Sequence, residues 1–483
     1  MKKQLLATAL SLLVFFASCS KSDNGDDDGE EIVVPTTGVV EVTGDITTAT
    51  SWTADKIYLL KGTVFVTNNV TLTIAPGTII KGDRGTKGTL VITRGSKISA
   101  IGTVDKPIVF TSNIIAGGRA PGDWGGLVLL GKASNNLGTS VTIEGISDAT
   151  DKAKHGGTDN ADNSGTLKYV RVEYAGVPLG PDNEINGITF GSVGSGTTVD
   201  YVEVFRSGDD AFEWFGGSVN AKHLLAVSTL DDDFDTDNGF SGKVQFGIAQ
   251  RLNGIADGSG ANGFESDNIS TGVNTDPITS AVFSNMTILG PIAPLPAPAP
   301  SANASYQHAV QIRRNSSISI LNSVIAGYTE GVFYDDALPG GNVNSSSKLL
   351  SGASVFANNL VAGSNGKGNQ IKASNATSLA AITPTLLASN VFNPDLYAIG
   401  IYADPYKYSA DQVTSARVGT PNFTLIASSP AATGASFANA KVTDAFFDKV
   451  DYRGAFGTTD WTAGWATYDP QTLPYTTPGA VTK

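Results

Sequence analysis

Apolar residues recur at a fixed interval in the middle of the chain. Three consecutive segments of 22 residues, which begin at Gly187, Asp209 and Asp231, align without a gap. Phenylalanine stands at one position of each segment and again after an insertion, as Phe190, Phe212, Phe234 and Phe264. A period this short is typical of stacked units that bury their apolar faces against each other. It is too short for a helical hairpin, so the pattern predicts an all-β parallel β-helix with coils of about 22 residues.

Short runs rich in β-branched and aromatic residues extend this pattern on both sides. They cover 70–82, 90–112, 123–131 and 166–176 before the regular block, and 281–290, 309–328 and 331–336 after it. We therefore place the β-helix domain at 36–440. Insertions are expected at about 134–164, 253–262 and Pro291–Ser301, and a helix is expected at Ser378–Asn390. Insertions in solenoids cluster on one face and often carry binding function.

The last segment, 441–483, contains three large aromatic residues, Trp461, Trp465 and Tyr468. Without a cover, the final coil of a solenoid would expose its core and an unpaired strand edge. We therefore expect this segment to cap the open end of the stack. The alternative is that the two tryptophans form a platform on which sugar rings stack.

The amino terminus has the pattern of a bacterial lipoprotein signal. Lys2 and Lys3 precede an apolar run from Leu5 to Ala17, which is too short for a membrane span. Residues 1–18 are therefore predicted to be a signal peptide. Cys19, the single cysteine of the chain, then stands where a lipoprotein carries its lipid, and disulfides are excluded. The alternative is an ordinary secretory signal followed by a chance cysteine.

Residues 19–35 are predicted to form a flexible acidic tether, because SKSDNGDDDGEE contains no apolar residue. An acidic run directly behind the lipidated cysteine resembles the surface-export signal of Bacteroidota lipoproteins. The resemblance implies an outer-membrane lipid anchor and display outside the cell, whereas a plain spacer would fit a periplasm-facing lipoprotein. The formal net charge of −13 argues against nucleic acid and anionic lipid as partners.

The regular block also carries a series of carboxylates. If the phenylalanines point inward, alternation in the strands places Glu213, Asp235 and Glu265 in one outward column, with Asp237 and Asp267 two residues further on. Asp233, Asp235 and Asp237 are expected on one face of a strand. Carboxylates on coils about 4.8 Å apart repel unless a cation or a basic partner separates them. These six residues are therefore candidate ligands of Ca²⁺, and the alternative is a solvated acidic rim.

Several longer motifs add a family resemblance. TIAPGTIIKGDRG, PGDWGGLVLLGKA, LKYVRVEYAG, SGDDAFEWFGG and the ending YRGAFG…DWTAGW resemble a family of Bacteroidota cell-surface lipoproteins. The resemblance covers nearly the whole chain after the signal. It implies a right-handed parallel β-helix, also called the pectin-lyase-like fold. It supplies no reaction, and fold analogy alone is a weak argument for function.

Two enzyme classes on this fold use carboxylates. Gly208-Asp209-Asp210 resembles a motif of polygalacturonase-like glycosidases, and Asp231-Asp232 follows one coil later, so these aspartates are candidate acid and base residues. The Asn-Thr-Asp and Gly-His-Gly motifs of that family are absent from the expected positions. A polysaccharide lyase would instead need bound Ca²⁺ and a basic residue, and the candidates are Arg206, Arg251, Arg313 and Arg314.

Three histidines, His155, His223 and His308, lack the spacing of a zinc site, and His223 is expected to be solvated. The sequence thus favours a surface-displayed lipoprotein that binds a glycan or a partner outer-membrane protein through an acidic face. Because many Bacteroidota surface lipoproteins serve TonB-dependent uptake complexes, the resemblance adds such a complex as a candidate partner. The competing hypothesis is a polysaccharide lyase or glycoside hydrolase that uses the Asp209–Asp237 region.

Overall fold

Strands stacked in parallel make up most of the molecule. The computed structural model describes residues 38–147, 150–180, 183–252, 255–258, 260–292, 304–337, 344–363, 370–407 and 419–481. In these residues two large parallel sheets wind into coils, which confirms the predicted all-β parallel β-helix. The predicted signal peptide, Cys19 and the tether lie outside the described residues, as does most of Pro291–Ser301.

Each coil has three sides. Side one is a sheet of its own: Asp45–Ile46, Thr63–Val66, Thr89–Ile92, Gly126–Leu130, Ile188–Gly191, Phe212–Phe215, Phe234–Asp237, Phe264–Ser266, His308–Ile312, Glu330–Tyr334 and Ile371–Ala373. Side two follows it in each coil: Thr50–Trp52, Thr71–Ile74, Lys97–Ile101, Lys243–Gln245, Val282–Ser284, Ser319–Leu321 and Phe356–Ala357.

Side three completes the coil and belongs to the same sheet as side two: Val39–Val42, Ile57–Leu60, Ile79–Gly82, Ile108–Ser112, Ile248–Gln250, Thr287–Leu289, Val324–Ala326, Leu360–Ala362 and Val391–Asn393. Three long strands run through both sides, Gly165–Glu173, Thr198–Phe205 and Asn220–Val227. The corner between sides two and three is therefore shallow, and the hydrogen-bond ladder continues across it.

Smaller elements lie outside the stack. Antiparallel pairs join Val141–Thr142 with Lys154–His155, Pro178–Gly180 with Asn183–Glu184, and Tyr402–Asp404 with Asn422–Leu425. The helices are α1, Ser345–Leu350, and α2, Ala376–Ser389, with 3₁₀ turns at Asp151–Ala153, Ala398–Gly400, Ala440–Val442 and Pro470–Thr472. Within the described part of the chain, no helix has the length and apolar character needed to cross a bilayer.

The predicted phenylalanine column lies in the core of the stack. The rings of Phe212, Phe234 and Phe264 stack with centroids 5.7 and 5.3 Å apart, and all three are buried. Phe190 is also buried, but it pairs with Trp214 rather than with Phe212. The coil that joins these two strands is longer than the 22-residue period by two residues. The gapless alignment of the first two segments was therefore wrong by two residues, which is one inward-facing position along the strand.

A second series of residues marks the corner between sides two and three. One residue per coil has a left-handed backbone there, in the order Tyr169, Tyr201, His223, Phe246, Asn285, Asn322 and Asn358. Asparagine tolerates this conformation, whereas larger side chains adopt it at a cost. The aromatic members offset that cost by stacking, with Tyr201 and His223 centroids 4.2 Å apart. His223 is thus packed in a ring stack and bonded to Asp200, contrary to the expected solvated histidine.

The C-terminal segment covers the outside of side three instead of the open end of the stack. Arg453 bonds to the carbonyl oxygen of Asn358 near the last coils, and Tyr475 packs with Ile57 and Val109 of the first coils. Trp461 and Trp465 contact the outer corner rings edge-on. The predicted position over the open end was therefore wrong. Helix α2 lies at the end of the stack, where its buried side chains Ile382 and Leu386 join the core.

Candidate functional site

The predicted outward column of carboxylates lies on side one. Glu213 pairs with Asp235, and Asp235 pairs with Glu265, on three successive coils. Asp237 follows two residues after Asp235, and the amide of Asp267 donates to the carbonyl of Thr236 on the neighbouring strand. Inward and outward residues alternate as predicted, because Phe212, Phe234 and Phe264 face the core between these positions.

The turns between sides three and one bring further aspartates to this column. Asp209 and Asp210 lie in the turn before Phe212, and Asp231 lies in the equivalent turn one coil later. Gly208 makes this close packing possible. A Cβ atom at Gly208 would lie 2.5 Å from the carbonyl oxygen of Gly176 on the preceding coil. The glycine of the Gly-Asp-Asp motif therefore has a packing role here, whatever the chemistry of the aspartates.

Five carboxylates from these turns and strands form two groups of three. Asp209, Asp210 and Asp231 offer oxygen atoms that lie within 4.8 Å of one another, and so do Asp210, Glu213 and Asp235. Asp210 belongs to both groups, and its Oδ1 atom accepts a hydrogen bond of 2.8 Å from the amide of Asp232. We call these five residues the acidic cluster. Oxygen donors at this spacing suit a hard divalent cation such as Ca²⁺.

Two insertions border the acidic cluster on one side, and sequence reasoning did not identify their contribution. Ile143, Ile146, Val177 and Ile185 pack on outward residues of side one and end beside Phe215. Burial is the main cause of the raised pKa of Asp209, followed by the charge of Asp231, and these insertions add the charges of Glu184 and Glu144. Asn186 is 1% exposed and donates through Nδ2 to Glu213. The predicted insertion at 134–164 was the only sequence signal, and it could not show which of its side chains face the cluster.

Arginines occupy the opposite border. Arg313 forms ion pairs with Glu265 and with Asp267, where Nε and Oδ1 are 2.8 Å apart, and Arg314 pairs with Asp267. These two predicted metal ligands therefore have basic partners in the protein. Asp209, Asp210, Glu213 and Asp235 form no ion pair with any Lys or Arg of the described residues. The column is thus neutralised at one end and strongly anionic at the other.

Burial and mutual repulsion raise the pKa values of the cluster. Burial is the main cause of the raised pKa of Asp210, followed by the charges of Asp209 and Glu213. The pKa of Asp235 is raised well above its usual value by burial, then by Asp232 and Asp237. Asp237 has its pKa raised to about 7 by burial and by the charge of Asp267. A proton or a bound cation therefore stabilises this arrangement near neutral pH.

Asp233 has a different environment from the one expected. It lies in the turn before the strand, and its carboxylate faces the core, where Arg251 Nε is 2.8 Å from Oδ2. Thr229 and Tyr328 donate to the same carboxylate over 2.9 and 3.2 Å. Both oxygens are thus bonded to protein groups. The prediction that Asp233 shares a face with Asp235 and Asp237 was wrong, because the strand begins at Phe234.

The candidate catalytic residues divide into two sets. Asp209, Asp210 and Asp231 are brought together in the acidic cluster. Asp232 accepts from the amide of Asn262, and Arg313 is bonded to two carboxylates. The histidines have separate surroundings: His155 bonds to Ser192 and has its pKa lowered to about 4 by burial, and His308 Nδ1 is 2.6 Å from Glu330.

A comparison with protein families identifies the class of this chain. A family model described as a pectate-lyase-like β-helix domain matches residues 44–396, which is more than half of the chain. The chain belongs to this family. Comparisons with curated proteins and with solved structures found no significant match. Membership of the pectate-lyase-like family agrees with the observed fold and is compatible with a role on glycans, but it specifies neither a ligand nor a reaction.

Proposed function

We propose that this pectate-lyase-like β-helix protein binds a divalent cation, Ca²⁺ by its donor chemistry, in the acidic cluster and uses it to hold a glycan against side one. The observation that carries this proposal is the unbalanced charge of Asp210 and Glu213 within the cluster. Asp210 and Glu213 are only 6% and 9% exposed, yet neither has a basic partner among the described residues. Buried carboxylates of this kind require a cation, a proton or basic groups.

The position of the cluster supports a glycan as the second ligand. It lies on an outward sheet surface between two insertions and a pair of arginines, so cationic and anionic groups are presented side by side. A hydroxyl or carboxylate oxygen of a sugar can complete the coordination of a Ca²⁺ ion that protein oxygens leave unfilled. A partner outer-membrane protein is the other ligand class that this surface fits.

A hydrolase is the second candidate function, and one observation favours it. Asp209 and Asp231 come from adjacent coils and have carboxylate oxygens within 4.8 Å. Carboxyl groups about 5–5.5 Å apart are typical of retaining glycosidases, whereas inverting enzymes need about 6.5–9.5 Å for a water molecule. A lyase that uses Arg313 as base has less support. Burial opposes the charge of Arg313, but Glu265 and Asp267 outweigh this effect and raise its pKa, so it is a poor proton acceptor.

Binding and catalysis are separated by one set of assays. The chain is freed of metal with EDTA, then offered acidic and neutral polysaccharides with and without millimolar Ca²⁺. We expect the wild type to be retained on an acidic glycan only when Ca²⁺ is present. Asp210→Asn should lose this retention. The control Asp105→Asn, which alters an exposed carboxylate, should be retained like the wild type. Absorbance of unsaturated ends would indicate a lyase, and new reducing ends without unsaturation a hydrolase. Calorimetry that detects no Ca²⁺ binding would refute the proposed cation site.

We further propose that the protein is a surface-exposed lipoprotein anchored in the outer membrane through Cys19. The proposal is supported by the signal-like residues 1–18 and the acidic run that follows Cys19. Labelled palmitate should be incorporated into the wild-type chain and not into Cys19→Ala. Protease added to intact cells should degrade the anchored protein if it faces outward, and protection until the cells are lysed would contradict surface display.

A further inference from the structure

We propose that the acidic cluster holds two divalent cations, which share the carboxylate of Asp210. This inference rests on the proposed cation site and specifies its composition. The first position is formed by Asp209, Asp210 and Asp231, and the second by Asp210, Glu213 and Asp235. Ligand atoms lie within 4.8 Å of one another inside each group, but neither Asp209 nor Asp231 is grouped with Glu213 or Asp235. We therefore assign one ion to each group.

The chemistry of Asp210 suits a bridge. An ionised carboxylate has two oxygens and about four lone-pair directions, so it accepts more than one partner. The Oδ1 oxygen of Asp210 already accepts a hydrogen bond from the backbone amide of Asp232, and this bond fixes the orientation of the side chain. Carboxylates that bridge two ions are found in two-metal sites, where the ions are about 3.5–4 Å apart. Asp210 is 6% exposed, so its own environment excludes most of the water that would otherwise screen it.

An independent observation at the second position also indicates a ligand. Asn186 is 1% exposed, and its amide contacts Glu213 through Nδ2. Its Oδ1 atom is buried without a hydrogen-bond partner in the described part of the chain, and the same is true of Asp235 Oδ1. Buried polar atoms without partners are costly and rare in folded proteins. Amide and carboxylate oxygens are both ligands that Ca²⁺ accepts. A cation beside Glu213 would therefore give these two buried oxygen atoms a partner.

Charge neutralisation supports the same stoichiometry. The five carboxylates carry five formal negative charges when ionised. One divalent cation offsets two of these five charges, so three remain. Two cations offset four, and the fifth charge is shared by a cluster in which Asp209, Asp231 and Asp235 are partly exposed. The arginines Arg313 and Arg314 cannot supply the difference, because both are bonded to Glu265 and Asp267.

Calcium titration of the full chain by calorimetry tests this proposal. We expect two Ca²⁺ per chain in the wild type and in Asp105→Asn. Asp209→Asn and Glu213→Gln should each retain one, and Asp210→Asn should weaken both sites by tenfold or more. One ion in the wild type would overturn the shared site and leave the proposed function standing. No bound ion would overturn both. Two ions in Glu213→Gln would refute the assignment of the second position.

A spectroscopic measurement on the unaltered protein guards against variants that fail to fold. Mn²⁺ prefers the same oxygen ligands and is paramagnetic, so electron paramagnetic resonance reports the distance between two bound ions. With two equivalents of Mn²⁺ we expect the broadened spectrum of a coupled pair. Sharp lines of two isolated ions would overturn the sharing of Asp210, even if calorimetry counts two sites.

Discussion

Asp233 and Asp235 are two residues apart, but they have opposite environments. Asp233 is fully buried against Arg251, whereas Asp235 faces outward and has other carboxylates for neighbours. The sequence DFDTD predicts both on one face only if the strand already includes Asp233. The strand begins one residue later, and the turn before it points Asp233 inward. A boundary shift of one residue therefore separates a structural ion pair from a candidate metal ligand.

The buried pair gives the first prediction. Arg251→Met removes the partner of Asp233 and leaves a carboxylate uncompensated in the core, so the free energy of unfolding should fall by about 3–5 kcal/mol. Urea unfolding followed by tryptophan fluorescence measures this loss. Adding Asp233→Asn to the same variant removes the unpaired charge, and we expect it to recover part of the stability. If Arg251→Met alone were as stable as the wild type, the pair of Arg251 and Asp233 would not contribute to stability.

The outward aspartate should show the opposite behaviour. Asp235→Asn removes one charge from a repelling group, so without metal the variant should be more stable than the wild type by about 1 kcal/mol or more. It also removes a ligand, so millimolar Ca²⁺ should raise its melting temperature less than that of the wild type. Differential scanning calorimetry with EDTA or with Ca²⁺ gives both quantities. If Asp235→Asn were less stable than the wild type in EDTA, repulsion at this position would be refuted.

At the scale of elements, the regular strands could be predicted and the parts between them could not. Alternation in 212–215 and 234–237 identifies which side chains face the core, because side one forces a period of two on every strand. The corner from Tyr169 to Asn358 has no such signal. Its members are aromatic in four coils and asparagine in three, and only their shared left-handed backbone relates them. Insertions are visible in the sequence as gaps in the pattern, but the side that they cover is decided by tertiary packing.

The C-terminal segment gives a prediction at this scale. The hydroxyl of Tyr475 donates to Glu173 Oε1 over 2.8 Å and accepts from Arg171, and all three side chains are buried. Tyr475→Phe leaves both charged groups short of a partner and should cost about 1–3 kcal/mol of unfolding free energy. Thermal unfolding and limited proteolysis of the C-terminal segment would both report the loss.

Tyr397→Phe is the matched control for this substitution. Tyr397 is only partly buried, and its hydroxyl makes no hydrogen bond with any described residue. We expect its stability to stay within about 0.5 kcal/mol of the wild type. Equal losses in both variants would show that the effect is unrelated to the bonds of Tyr475.

For the whole molecule, the acidic cluster makes stability depend on pH. Raised pKa values mean that the folded chain binds protons more tightly than the unfolded chain. This contribution is fully present below the unfolded pKa near 3.8 and is lost as pH rises through the folded values, about 7 for Asp237 and well above 3.8 for Asp210. In EDTA, the melting temperature should therefore fall between pH 5 and pH 8.

Calcium should reverse this trend. Ca²⁺ binds the ionised carboxylates, so its stabilising effect should be larger at pH 8 than at pH 5. Melting curves at both pH values, with EDTA and with Ca²⁺, provide the comparison. A Ca²⁺ effect that is equal at the two pH values would argue against binding at groups with raised pKa values.

The fold and the carboxylates on the strands of side one could thus be predicted from the sequence, and the physical reason is the same for both. Stacked coils repeat the same local environment, so the column Glu213–Asp235–Glu265 follows from a single alternation rule. Glu144 and Asn186 reach the same place from insertions, where no repeat applies. The path of the C-terminal segment was also beyond prediction, because its contacts with Ile57 and Val109 join residues separated by nearly the whole chain.

The contacts of the C-terminal segment with the first coils change how the β-helix can unfold. Coils that contact only their neighbours open one at a time from either end. Here Val481 and Leu473 pack with Ile57 and Ile79, so the C-terminal segment holds coils that are made much earlier in synthesis. The first coils lack part of their apolar cover until this segment has been made, and afterwards they cannot fray without releasing it. Unfolding of the domain should therefore be one cooperative event, and a chain cut short before this segment would keep its repeats but lose that cooperativity.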